Sequence, residues 1–186
     1  MVKNQIQEDR MKSYFITSAK EIIRGEGMRA LSVRTVAEKA GYSYATLYNY
    51  FKDLRELVFY CIVDFLKELR EFVDISSKGN QTLLSRTKSF CNYFVQYPGT
   101  FSVIFTEQMS EIVLNEQITK EIDYTFVSVF SDFYNEISSG KGVSASETAE
   151  NYKLMLIGLL SMYILRREPQ SYDDFLKKME KLVKAF

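Results

Sequence analysis

The chain has 186 residues, 46% of them apolar and 26% charged, which is enough to bury a core and too apolar for a wholly disordered protein. It contains no histidine, which excludes His-based triads, His-ligated zinc and most imidazole general-base schemes, and no phosphate-cradling glycine loop, so an enzyme is not expected. Its formal charge is zero but unevenly placed: residues 1–57 hold ten Lys/Arg against seven Asp/Glu, a net +3, and the remainder carries −3, so any affinity for a polyanion is expected at the N-terminal end.

The opening residues, Met1 to Asp9, lack the apolar stretch of a signal peptide, and export is not expected. Met11, Phe15, Ala19, Ile22 and Ile23 recur at spacings of three and four, which predicts an amphipathic helix ending at Gly25 and Gly27. Ser32 then caps a short helix through Ala40, Gly41 breaks it, and Ser43 caps another through about Phe51. Two helices of about eight residues across a glycine-containing turn make a helix-turn-helix. In that motif Ala37 must be small where the second helix crosses, and Gly41 supplies the positive φ of the turn. Val36, Ala40, Leu47 and Tyr50 fall at core-facing positions, leaving Tyr44, Thr46, Tyr48 and Asn49 outward.

Asp53 with Glu56 has the spacing of a capping box for a fourth helix, Leu54 to about Ile75, whose stripe includes Leu57, Val58, Cys61, Ile62, Phe65, Leu66 and Leu69. Residues 76–80 read as a loop. A fifth helix through Phe90, Cys91, Phe94 and Val95 stops at Tyr97-Pro98-Gly99, because proline cannot continue it. A short helix around Phe101 to Gln108 and a longer one around Ile112 to Ile137 follow, and Gly140 with Gly142 ends the run. Ser144 and Glu147 open a helix with apolar positions 152, 155, 156, 159, 160, 163 and 164; its run Leu154 to Leu165 is broken by Gly158 and Ser161 and falls short of the ~20 residues of a membrane span. After Pro169, Ser171 and Asp174 open a last helix carrying Phe175, Met179, Leu182, Val183 and Phe186. The expected fold is all-α with about nine helices, divided into a DNA-binding head at 1–53 and a bundle at 54–186. Cys61 and Cys91 sit in apolar helical patterns as buried free thiols, which fits a reducing cytoplasm; no metal site and no cofactor are expected.

The stretch Ile22-Ile23, then Gly27-Met28-Arg29-Ala30-Leu31-Ser32-Val33-Arg34-Thr35-Val36-Ala37-Glu38-Lys39-Ala40-Gly41-Tyr42-Ser43-Tyr44-Ala45-Thr46-Leu47-Tyr48-Asn49-Tyr50-Phe51, resembles the TetR family of bacterial transcription regulators, of TetR/AcrR type. The resemblance implies a homodimer that binds a pseudo-palindromic double-stranded operator and senses a small-molecule effector, most often as a repressor released by that effector. It implies phosphate contacts from Thr35 and Tyr48, base-edge contacts near Tyr44, Ala45, Thr46 and Asn49, and phosphate neighbours in Arg34 and Lys52, with Ser43 at the start of the reading helix. Three positions depart from the family pattern: Tyr42, Ala45 and Leu54. Leu54 stands where a phosphate-binding lysine is usual, so Lys52 or Arg55 is left to supply that contact. For the effector, the resemblance implies a pocket drawing on Phe65, Phe94, Phe101, Phe130, Tyr134, Tyr152 and Met155, although each taken alone is more often a core residue than a pocket residue. Dimerisation is expected through residues 147–186, with Leu159 and Leu160 in the interface. The rival reading is a helical small-molecule or partner-binding protein that has lost DNA binding, prompted by Leu54 and the zero net charge.

Overall fold

The computed structural model describes residues 2–107, 112–141 and 144–186. Nine α-helices and one 3₁₀ turn account for the regular structure among them: α1 (Val2–Glu26), the 3₁₀ turn Met28–Ala30, α2 (Val33–Ala40), α3 (Tyr44–Tyr48), α4 (Leu54–Ser76), α5 (Leu83–Gln96), α6 (Pro98–Phe105), α7 (Ile112–Lys141), α8 (Ala145–Arg166) and α9 (Tyr172–Ala185). The fold is all-α, as the periodicities predict. No helix among the described residues is long and apolar enough to cross a membrane.

Packing groups the chain into two compact units, Met1–Phe65 with Gly99–Ile118, and Leu66–Pro98 with Thr119–Phe186. In the first, Phe15, Ala19, Ile22 and Ile23 of α1 are buried with Val36, Ala37, Leu47, Phe51 and the α4 residues Leu57, Val58 and Cys61. Phe15 is the hub of this core, its ring centroid 5.6 Å from Tyr42, 6.1 Å from Tyr50 and 6.3 Å from Phe51. Gly99, in the first turn of α6, is small because it must be: a Cβ there would lie 2.3 Å from the Ile23 carbonyl oxygen. In the second unit, rings from α5, α7 and α8 pack with Leu156, Leu160, Phe175 and Met179.

Several helix limits differ from expectation, each for a local reason. α3 ends at Tyr48 rather than near Phe51, because the Asn49 and Tyr50 N–H groups bond three residues back, to Thr46 and Leu47 carbonyls at 3.2 and 3.0 Å, and tighten the last turn. Just beyond, the Asp53 carboxylate accepts from the Glu56 N–H at 3.0 Å while the Glu56 carboxylate accepts from the Lys52 N–H at 2.5 Å, one residue earlier than a regular capping box. α6 begins at Pro98, not Phe101, since a proline that ends one helix is well suited to the first position of the next. α7 continues to Lys141; Gln108 and Gly142, named above as helix limits, lie outside the described residues. Leu159 and Leu160 are 5% and 0% exposed within a single chain, so they are core and not interface residues. The apolar residues that α8 leaves exposed are Leu154, Met162 and Leu165, which fall with exposed Gly158 on one helical stripe.

Candidate nucleic-acid interface

The helix-turn-helix is assembled by two serine caps and one glycine. Ser32 accepts the Thr35 N–H at 3.1 Å while the Thr35 hydroxyl accepts the Ser32 N–H at 2.9 Å, a reciprocal capping box that starts α2. Gly41 ends α2 in the left-handed region at φ 78° and returns its N–H to Glu38 at 3.1 Å, a conformation a side chain resists. Ser43 then accepts the Thr46 N–H at 3.2 Å and starts α3. With Val36, Ala37 and Leu47 buried at the crossing, α3 is fixed with one face inward.

Its other face is open. Tyr44 is 66% exposed and Tyr48 52%, and Ser43, Ala45 and Asn49 are exposed beside them, with Thr46 half-buried. Arg34, Thr35 and Lys52 are also at the surface, so all nine residues proposed for DNA lie on or next to α2 and α3 with solvent access. Their chemistry differs from the expectation in two places. The Thr35 hydroxyl lies 2.9 Å from the Ala30 carbonyl as well as serving the capping box, and the Thr46 hydroxyl pairs with that of Ser43 at 2.9 Å. Thr35 therefore acts as a cap, and the Thr46 hydroxyl is engaged with that of the α3 cap, Ser43. Arg34 sits 2.8 Å from Glu38, an exposed pair that a phosphate can displace at little cost.

Leu54 is half-buried at the start of α4. Of the two residues expected to replace the usual lysine, Arg55 holds the Asp53 carboxylate at 2.7 Å and is half-buried, and Lys52 is exposed. The Glu56 N–H, then the Arg55 guanidinium, keep the Asp53 carboxyl below the usual carboxylate range.

Sequence phasing missed a second surface. An open groove of about 480 Å³ is lined by Ile6, Gln7, Arg10, Met11, Tyr14 and Tyr42, and another of about 300 Å³ by Arg34, Ala37, Glu38, Tyr42, Ser43 and Tyr44. Tyr42 is common to both, and its ring pairs with Tyr14 at 6.4 Å. The signal that α1 reaches this face is its unbroken helical character back to Val2, which the apolar stripe from Met11 onward does not reveal.

The residues proposed for an effector divide between the units. Phe65 and Phe101 belong to the first, where Lys20 and Arg24 sit over the Phe65 ring at 5.0 and 4.9 Å and Phe101 packs on Phe105 at 5.0 Å. Phe94, Phe130, Tyr134, Tyr152 and Met155 belong to the second. There Phe90, which the proposed set omits, joins Phe94 and Phe130 at 5.2 and 5.6 Å, and Phe130 meets Tyr152 at 5.2 Å. Met155 is half-buried. Cys61 and Cys91 are free and buried, and burial pushes both thiols up to about 12, so they are neutral.

Residues 15–61 match the sequence model of the bacterial regulatory proteins, tetR family. No curated protein matches the chain. Among solved structures, a Rhodococcus protein assigned to the TetR-family transcriptional regulators superposes with a TM-score of 0.74 at 16% identity, covering 95% of this chain and 98% of that one. The fatty acid degradation regulator FadR of Bacillus halodurans gives 0.69 at 11% identity over 92% and 93%. FadR of Bacillus subtilis, solved in complex with stearoyl-CoA, gives 0.66 at 15% identity over 92% and 95%. At these identities the likeness is one of fold.

Proposed function

We propose that the chain is a TetR-family transcription regulator and not an enzyme, a homodimeric DNA-binding repressor released from its operator by a small molecule; the match of residues 15–61 to that family's model and the shared fold support this reading. The observation that carries this reading is the open face of α3, where two tyrosines are held in solvent by a helix whose opposite side is locked into the head. Exposed aromatic hydroxyls beside Asn49, Arg34 and Lys52 have the chemistry of phosphate positioning and base-edge contact. In this reading residues 1–53 bind DNA, residues 54–186 sense and dimerise, and the protein works in the cytoplasm.

Dimerisation is assigned to the α8 stripe Leu154, Gly158, Met162 and Leu165, within the stretch 147–186. A self-complementary apolar face satisfies the two-fold symmetry that a pseudo-palindromic operator demands. Sensing is assigned to the aromatic cluster of the second unit. Release from DNA needs only ~1–3 kcal/mol of difference in effector affinity between the free and operator-bound forms, which is a 5–150-fold change in DNA affinity. The bound stearoyl-CoA of the Bacillus subtilis neighbour supports the idea of a ligand in this fold.

The second reading, a helical binding protein without DNA affinity, is favoured by Leu54 and by the zero net charge. A gel shift against the DNA upstream of the chain's own gene separates the two: a retarded, sequence-specific complex is expected, and no complex at low salt supports the rival. A ligand that lifts the shift is then titrated with and without saturating operator. By reciprocity its affinity falls in the presence of operator by the same factor; equal affinities contradict the release mechanism.

A further inference from the structure

We propose that the second unit holds a site for a neutral, flat, apolar molecule carrying one hydrogen-bond acceptor, seated along Phe126, Phe130 and Tyr134 of α7 opposite Tyr152 of α8, with the Tyr134 O–H as donor. The proposal rests on the reading of this half as the sensor and specifies what it senses.

Phe126, Phe130 and Tyr134 are spaced four residues apart and line one side of α7. Phe126 and Phe130 lie 6.0 Å apart, Phe130 and Tyr134 6.3 Å, and Tyr134 and Tyr152 6.1 Å, a continuous row of tilted and edge-on rings that offers aromatic contact to a planar molecule. Within this row the two phenols are not equivalent. The Thr87 hydroxyl gives its hydrogen to the Leu83 carbonyl at 2.7 Å and accepts the Tyr152 O–H at 2.5 Å, so the Tyr152 proton is committed. Tyr134 is 4% exposed, and among the described residues its hydroxyl has no hydrogen-bond partner. Burial pushes its phenol up, so it stays protonated and offers a donor. A buried donor left unmet destabilises the folded chain, and an acceptor on a bound molecule removes that cost.

The way in also has a sign. An open groove of about 220 Å³ between α7 and α8 is lined by Asp123, Phe126, Val127, Glu150 and Lys153, with Ser146 and Ala149. Phe126 is thus both the lining of the groove and the first ring of the row. At the rim Lys153 lies 2.8 Å from Asp123 and 2.6 Å from Glu150, two carboxylates to one ammonium. That excess negative charge repels an anionic ligand, and the phenyl and hydroxyl groups within have no charge to pair with one. An acyl-CoA, the ligand of the Bacillus subtilis neighbour, is therefore disfavoured here.

Calorimetry on the full chain with fluorenone, with fluorene (the same rings without the carbonyl) and with palmitoyl-CoA tests the assignment. The wild type is expected to bind fluorenone roughly 3–10-fold more tightly than fluorene, the effect of one ordinary hydrogen bond, and palmitoyl-CoA more weakly than either. Tyr134→Phe should erase the preference for fluorenone, leave fluorene binding unchanged and not lower Tm. Tyr152→Phe, which breaks the bond to Thr87, should lower Tm without a selective loss of fluorenone. Absence of fluorenone binding, equal affinities for the two ring systems in the wild type, or an equal loss of both in Tyr134→Phe overturns the site. If palmitoyl-CoA binds tightest and releases operator, this assignment falls while the sensing reading stands. If fluorenone binds through Tyr134 and operator affinity does not change, the site stands and the sensing reading falls.

Discussion

Tyr48 and Thr35 illustrate how one hydroxyl can be a DNA contact and another a cap. Tyr48 is half-exposed and its ring is anchored by a helix that is fixed from behind, so Tyr48→Phe keeps the packing and removes only the hydroxyl. If that group meets a phosphate, the loss is about 0.5–1.5 kcal/mol on every DNA sequence alike. Tyr44→Ala should instead change which bases are preferred, and anisotropy on a panel of operator variants distinguishes a uniform loss from a shifted preference. Thr35 is different, because its hydroxyl lies in the capping box of α2. Thr35→Val should cost about 0.5–2 kcal/mol of stability in urea titration, with little further effect on DNA affinity once the folded fraction is equal. Asp53 adds a pH dependence: its carboxyl is held below the usual range, so the stability it contributes to the start of α4 is present above a pH of about 4 and is lost as pH falls below that. A thermal series from pH 6 to pH 3 should therefore show Asp53→Asn losing the difference from wild type at the acid end.

At the scale of elements, α4 is held at both ends by different partners. In its first half Asp64 pairs with Lys20 of α1 and the Cys61 thiol faces the Ile16 carbonyl; in its second half Glu68 meets the Tyr93 hydroxyl and Arg70 donates to Thr125 at 2.8 Å. α6 offers a sharper test, because a Cβ on Gly99 would lie 2.3 Å from the Ile23 carbonyl oxygen. Gly99→Ala forces backbone to move and should destabilise by about 1–3 kcal/mol, whereas an exposed glycine on α8, Gly158, has nothing within 4 Å of an added Cβ in one chain. Calorimetric Tm values of the two alanine variants check this contrast. The sequence discloses most of these elements through their caps: Ser32, Gly41, Ser43, Ser144 and Ser171 each mark a helix limit that the structure confirms. It does not disclose the length of α3, which is set by the tightened last turn in which the Asn49 and Tyr50 N–H groups bond three residues back, nor the division of the aromatic residues. Phe65 and Phe101 have the same local pattern as Phe130 and Tyr152, and only tertiary packing sorts them into different units.

For the whole molecule, the exposed α8 stripe predicts a two-fold assembly, and the burial of its neighbours predicts which mutations report on it. Met162→Glu places a charge on the exposed stripe and should give folded monomers with weak operator binding; Leu159→Glu buries a charge in the core and should unfold the chain. Light scattering with circular dichroism separates the two outcomes. The head carries a net +3 over residues 1–57 in a chain of zero net charge, so affinity for DNA must come from local contacts and not from bulk attraction. The most direct measurement of the central claim is the salt dependence of binding to the upstream DNA, by fluorescence anisotropy. The account predicts a specific complex whose log K falls linearly with log salt, with a slope of about −0.9 per phosphate neutralised, and a uniformly weaker complex for Tyr48→Phe. A flat salt response, or no complex with any upstream fragment at low salt, would contradict it.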